Sequence, residues 1–215
     1  KLVKEGKADI PMKGILQTSN FARAILNRET GLVPASGRRL VSQCGIFEYE
    51  GRFVMITDAA ININPDVDTQ IGIVENALPV AKALGNDCPK VAVLSAVENV
   101  TEKMASTVTA AEIARRGVPG CIISGPLALD GAISMESVKH KAIHDPVAGQ
   151  ADILLVPFIE IGNVLYKACT YIAGKTMAST ICGASCPVVI TSRADTPDSK
   201  YYSILMAVLR CIKGC

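Results

Sequence analysis

Tryptophan is absent from the 215 residues, and four Phe and five Tyr leave few rings on which a nucleic-acid base could stack. Charge of one sign is scarce as well. The 22 basic and 20 acidic residues are mixed along the chain and leave a net charge of +2, without the clustered basic face that nucleic-acid binding needs. Apolar runs such as Ile153–Pro157 and Ile204–Leu209 fall far short of the ~20 residues of a bilayer-spanning helix. No G-x-G-x-x-G follows a strand, and neither G-x-x-x-x-G-K-S/T nor G-x-S-x-G occurs. Nicotinamide, nucleoside-triphosphate and α/β-hydrolase chemistry thereby lose their usual signatures. The only histidines, His140 and His144, have helical spacing but no acidic residue between them of the H-E-x-x-H kind, so a solvated helix face is expected.

What is present is apolar material: 49% hydrophobic against 20% charged residues, enough for one large or two modest α/β domains. The eight cysteines lie inside apolar stretches with no secretory leader pattern ahead of them. Reduced thiols and a cytoplasmic location are expected. Cys182 with Cys186 and Cys211 with Cys215 have spacings compatible with zinc, but buried thiols are the better reading, and no metal is expected.

Leu2–Gly6 reads as a helix tail stopped by glycine, followed by a short strand over Ala8–Met12. With no initiator Met, further sequence upstream is expected. A helix follows over Phe21–Ile25, with Thr18, Ser19 and Asn20 as candidate caps. Strands over Val41–Tyr49 and Arg52–Thr57 flank the hairpin signal Glu50-Gly51. From there the pattern alternates. Helices are expected near 68–84, 107–116, 134–141, 163–173 and 199–212, and strands near 90–95, 120–124, 151–156 and 187–191.

Ligands of open α/β sheets gather where strands hand over to helix N-termini, whose free N–H groups favour anions. Three loops fit that position: Lys13–Ser19 leading to Arg23, Glu160–Asn163 leading to Lys167, and Thr191–Asp195. Each joins small or hydroxyl residues to a cation that can neutralise phosphate. Taken singly each also reads as a cap or an exposed turn; their recurrence in one chain is the signal.

These loops and their neighbours resemble the phosphate acetyl/butyryl transferases, the butyryl branch most. The likeness rests on Lys7-Ala8-Asp9 with Met12-Lys13-Gly14, on Ile56-Thr57-Asp58-Ala59-Ala60, on Gly125-Pro126-Leu127-Ala128-Leu129-Asp130, on Gly162-Asn163-Val164-Leu165-Tyr166-Lys167, and on Thr191-Ser192-Arg193-Ala194-Asp195. The resemblance implies a two-domain α/β/α fold of the isocitrate/isopropylmalate dehydrogenase-like type, with a mostly parallel sheet carrying an antiparallel hairpin. By that analogy residues 1–37 and 188–215 form an outer domain, shortened here, and residues 38–187 form an inner domain that carries the contact of a homodimer.

The reaction implied is reversible transfer of a short acyl group, butyryl or branched rather than acetyl, between coenzyme A and orthophosphate. Coenzyme A is then a substrate, and no cofactor is implied. The family match gives Arg193 and Arg23 to the phosphoryl group and Ser192 to hydrogen bonding near the oxyanion or thiol. Thr18, Ser19, Lys13, Gly162, Asn163, Lys167 and Asp130 complete the implied substrate-binding set. Asp198 is the candidate general base and Asp195 its rival, because the family aspartate position holds Ser199 here. Three further departures are Gln17 for a histidine, Ser124 for the aspartate before Gly125-Pro126, and Phe158 for an aspartate after Pro157. The last two motivate an alternative, a silent coenzyme A-binding or scaffold paralogue. A metal-dependent dehydrogenase of the same fold is a third possibility and would need clustered aspartates.

Overall fold

The computed structural model describes residues 1–27, 29–34, 39–192 and 194–214. Leu2–Gly6 forms a closed turn, with the Gly6 N–H on the Val3 carbonyl at 3.0 Å and Gly6 at φ +66°, the glycine stop the sequence predicts. The strand expected over Ala8–Met12 shrinks to a single parallel bridge between Met12 and Val189. Next come α1 (Thr18–Ile25), β1 (Ser42–Tyr49), β2 (Arg52–Thr57), α2 (Val67–Ala83), β3 (Lys90–Leu94) and α3 (Ala105–Arg116). They are followed by β4 (Ile122–Leu127), α4 (Leu129–Ile133), α5 (Met135–Lys141), β5 (Ile153–Leu155) and α6 (Ile159–Lys167), which ends in a π-turn over Ala168–Ile172. The chain closes with β6 (Ala178–Cys182), β7 (Val188–Val189) and α7 (Pro197–Lys213).

The strands form one sheet in the order β4-β3-β5-β2-β1-β6-β7. Pairing is parallel from β4 through β2 and antiparallel from β2 through β7, so all strands but β1 and β7 point the same way. Glu50 and Gly51, at φ +50° and +79°, make the tight β1–β2 hairpin that their sequence signalled.

Alternation of side chains across the strands splits the core into two faces. Met55, Val91, Val93, Ile153 and Leu155 pack with Ile73, Val74 and Val80 of α2, Ile113 of α3 and Met206 of α7. Val54, Ile56, Ala92, Leu94, Leu154 and Val156 face the other way, toward Ala132 of α4 and Leu165 and Tyr166 of α6. Central strands covered on both faces are why these segments read as unbroken apolar runs. A third cluster joins Ile25 and Leu32 to Val41, Ile181, Val188 and Ile190.

Strand β6 was not anticipated, because Ser179 and Thr180 look like loop residues. Their polar groups are paired inside the fold instead. The Ser179 N–H donates to Ser203 Oγ at 2.9 Å, and buried Arg210 donates to Thr180 Oγ1 at 3.1 Å and to the Ile181 carbonyl at 2.9 Å. Two of the cysteines behave as fillers in the same region, whereas Cys88 and Cys211 are exposed. Cys44 and Cys182 are fully buried beside each other, and the hydrogen bond to Cys182, with burial, pushes the Cys44 thiol up. His140 and His144 are exposed. No helix among the described residues is long and apolar enough to cross a membrane.

Candidate active site

A cleft of about 530 Å³ opens where α6, the end of β7 and the Lys13–Gln17 loop converge over β1 and β6. Its lining includes Lys13, Gln43, Asn163, Tyr166, Lys167, Ser179, Ser192 and Asp195, with Leu16, Ala59, Ala60 and Ile190 supplying apolar wall. The Lys13 backbone is fixed by its N–H bond to the Val189 carbonyl at 2.9 Å. Its side chain is only 6% exposed and donates to the carbonyls of Gly14 at 3.3 Å and Leu16 at 3.2 Å. An ammonium has three protons, so one remains for a ligand anion.

Beyond β7, Ser192 and Asp195 close a turn on themselves. The Ser192 N–H donates to Asp195 Oδ2 at 2.6 Å, the Asp195 N–H to the Ser192 carbonyl at 3.2 Å, and the Ala194 N–H to Ser192 Oγ at 3.3 Å. The Ser192 hydroxyl accepts in that last bond and keeps its own proton for donation. Partial burial raises the Asp195 carboxyl above its ordinary value, and the Ser192 N–H, Lys200 and Lys13 pull only part of the way back.

The opposite wall hangs on Asp58, which follows β2 and is 2% exposed. Its carboxylate accepts from the backbone N–H groups of Gln43 (3.2 Å), Ala60 (2.9 Å), Ile61 (3.1 Å) and Asn62 (3.1 Å), and from Asn62 Nδ2 (2.6 Å). Burial still outweighs those donors and raises its pKa. The loop so folded presents Ala59 and Ala60 to the cleft, and Asn163 Nδ2 donates to the Ala59 carbonyl at 3.3 Å.

Residues 1–208 match the family model described as "Phosphate acetyl/butaryl transferase". The chain belongs to this family. A phosphate butyryltransferase of Clostridium beijerinckii is 45% identical over 97% of this chain and 70% of that protein. The crystal structure of a branched-chain phosphotransacylase from Enterococcus faecalis V583 superposes with a TM-score of 0.89 at 41% identity, covering 97% of this chain and 76% of that one. A 4-hydroxythreonine-4-phosphate dehydrogenase from Klebsiella pneumoniae, at 13% identity and a TM-score of 0.53 over 97% of this chain and 66% of that one, shares the fold alone.

Against the residues the family motifs single out, the cleft gathers Lys13, Asn163, Lys167 and Ser192. Arg193 lies outside the described residues, although its neighbours Ser192 and Ala194 both line the cleft. Thr18 and Ser19 open α1 and Arg23 lies in its last turn; Ser19 and Arg23 are exposed and stand apart from the lining. Asp130 is also elsewhere, exposed and ion-paired with Lys141 at 3.0 Å. Asp198 sits exposed in the first turn of α7, where a negative charge complements the helix dipole. The carboxylate in the cleft is Asp195. Ser199, at the family aspartate position, is buried and accepts the Met177 N–H at 3.3 Å, fastening α7 to the chain entering β6. Gln17 lines the cleft, whereas Ser124 and Phe158 do not.

Gly162 has a different task from the one expected. Helix α6 begins at Ile159, four residues earlier than its expected start, which puts Gly162 inside the helix and buried. A Cβ there would sit 2.4 Å from the Asp58 carbonyl oxygen and 2.9 Å from the Ala59 Cα, both backbone atoms. The glycine is what lets α6 rest on the Asp58 loop. Gly162→Ala is expected to cost about 2 kcal/mol in urea unfolding through overpacking, and to lower kcat because Asn163, Tyr166 and Lys167 move with the helix. A variant as stable as the parent would refute that role. Gln43, Tyr166 and Ser179 were missed as site residues. The available signal was Gln43, a polar residue at an inward position of a strand whose neighbours are apolar.

Proposed function

We propose that this chain transfers a short acyl group reversibly between coenzyme A and orthophosphate. The observation that carries the reading is a cleft in which the buried Lys13 ammonium, the Ser192 hydroxyl and the Asp195 carboxyl meet an apolar wall. In the direction of thiol attack, Asp195 takes the proton of the coenzyme A thiol. The sulfur then attacks the carbonyl carbon of the acyl phosphate, and the carbonyl π pair becomes an oxyanion. Collapse of that intermediate expels orthophosphate and leaves acyl-coenzyme A. Lys13 binds the phosphoryl oxygens with its remaining proton, joined by Arg193 on the strength of the family motif, and Ser192 donates near the reacting carbonyl.

Leu16, Ala59, Ala60 and Ile190 make the wall that would take the acyl chain, which favours butyryl or branched groups over acetyl. The same reading includes two lobes, residues 1–37 with 188–215 against 38–187. Its support is the Met12–Val189 bridge and the packing of Ile25 and Leu32 on Val188 and Ile190. It also includes a homodimer working in the cytoplasm, in keeping with the free cysteines among the described residues.

The test is phosphate-dependent release of coenzyme A thiol from butyryl- and acetyl-coenzyme A. Release is expected from both, faster from butyryl. Absence of release from every short acyl-coenzyme A would overturn the assignment.

A further inference from the structure

Tyr166 is held more firmly than a cleft-lining ring requires. Its edge lies flat against the backbone of β1, where a Cβ on Gly45 would come within 2.6 Å of Cδ2 and 2.7 Å of Cε2. Only glycine at position 45 leaves room for the ring, so the phenol is sunk between α6 and the sheet in the cleft that Ser179 and Asp195 also line.

Behind it stands a polar pair that packing alone does not explain. Gln43 is 3% exposed and donates from Nε2 to Ser179 Oγ at 2.8 Å, yet its own Oε1 is buried with no hydrogen-bond partner. An unpartnered buried carbonyl costs about 1–3 kcal/mol. An apolar residue at position 43 would avoid that cost. The glutamine is therefore explained by what its Nε2 does. By donating to Ser179 Oγ it leaves the serine hydroxyl proton free for the Tyr166 oxygen, since Ser179 is the cross-strand partner of Gly45, on which the ring rests, and both side chains line the cleft. Tyr166 then has its own proton to donate into the cleft.

We propose that the Tyr166 hydroxyl donates to the acyl carbonyl oxygen as that oxygen becomes an oxyanion, with Ser179 and Gln43 as positioning residues. The inference rests on the acyl-transfer reading given above. The choice of atom follows from charge and reach. Tyr166 shares the cleft with Asp195, whose carboxylate disfavours a permanently anionic phosphoryl group beside the phenol but not the carbonyl, whose oxygen becomes negative only after Asp195 has taken the thiol proton. The sulfur that loses its proton to Asp195 bonds to the carbonyl carbon, and the oxygen is only one bond further on, about 1.2 Å. Proton and electron balance is simple. The thiol proton goes to Asp195, the carbonyl pair moves onto oxygen, and Tyr166 contributes a hydrogen bond without giving up its proton. Burial, followed by the Asp195 and Tyr171 charges, raises the phenol well above its ordinary value, so it remains a donor across the working pH range.

Tyr166→Phe keeps the ring over Gly45 and removes only the hydroxyl. It is expected to lower kcat for butyryl-coenzyme A about a hundredfold, as loss of an oxyanion donor does, with KM changed less than about threefold and the melting temperature held. Ser179→Ala and Gln43→Met are expected to lower kcat about tenfold each in the parent and to cost nothing further in the Tyr166→Phe background, since they act through that hydroxyl. Retention of kcat within about threefold by Tyr166→Phe, or full additivity of Ser179→Ala with it, overturns the proposal while leaving acyl transfer standing. No thiol release by the parent chain removes the acyl-transfer reading and this inference together.

Discussion

Asp195→Asn is expected to lower kcat/KM for thiol attack on acyl phosphate by about a thousandfold, the middle of the range for a lost general base. The substitution preserves side-chain volume and the acceptor oxygen that receives the Ser192 N–H at 2.6 Å, so the turn from Ser192 to Asp195 survives. What disappears is the ability to take a proton. The pH profile separates this role from a structural one. Burial raises the Asp195 carboxyl, so the acid limb of kcat/KM in the parent is expected above the ordinary aspartate value of about 3.9. Activity falls as pH drops through that pKa, because the base form is lost. In Asp195→Asn the limb should vanish along with most of the rate. Asp198→Asn, on the exposed first turn of α7, should leave rate and profile close to the parent. An Asp195→Asn variant within tenfold of the parent, or an Asp198→Asn variant that loses the limb, would return the base to Asp198.

That choice between two aspartates illustrates where sequence and structure part. Both follow the Ser192-Arg193 pair within six residues, and spacing alone does not separate them. The distinction arises because Thr196 caps α7 through the Ser199 N–H at 3.1 Å, which commits Asp198 to the exposed helix start and leaves Asp195 in the turn before it. The sheet was easier to read. Parallel strands buried on both faces and a Glu50-Gly51 hairpin are written in local pattern, and the alternation of helices with strands follows from it. Strand β6 was hidden because its polar residues are satisfied inside the fold by distant partners, the Ser179 N–H by Ser203 and the Thr180 hydroxyl by Arg210, some 24 and 30 residues away. The cleft was legible in part. Lys13, Asn163, Lys167 and Ser192 stand in motifs, whereas Gln43 and Ser179 meet only through β1–β6 pairing, 136 residues apart in the chain. Gly162 was read as a loop glycine near the phosphate because a glycine's sequence context does not reveal which backbone it touches.

Asp58→Ala is expected to be the most destabilising change in the molecule, about 4 kcal/mol or more, at the upper end of what a single substitution does. The carboxylate satisfies four backbone N–H groups and the Asn62 amide within a site 2% exposed. Removing it leaves several of those donors buried without a partner, each at a cost of about 1–3 kcal/mol. Partial relaxation of the loop toward water recovers some of this, which is why the full sum is not expected. Asp58→Asn is the informative companion. It keeps the volume and an acceptor for the Gln43, Ala60 and Ile61 N–H groups but sets an NH₂ against the Asn62 N–H and Nδ2, so roughly half the loss is expected. Urea unfolding at neutral pH measures both. The functional consequence is specific: the freed loop carries Ala59 and Ala60 and supports α6 under Gly162, so the cleft should lose its acyl wall before the sheet melts. In kinetics on folded protein, Asp58→Asn should therefore raise KM for butyryl-coenzyme A more than it lowers kcat. Unfolding of Asp58→Ala within about 1 kcal/mol of the parent would show that water replaces the carboxylate and that the loop is held by its other contacts.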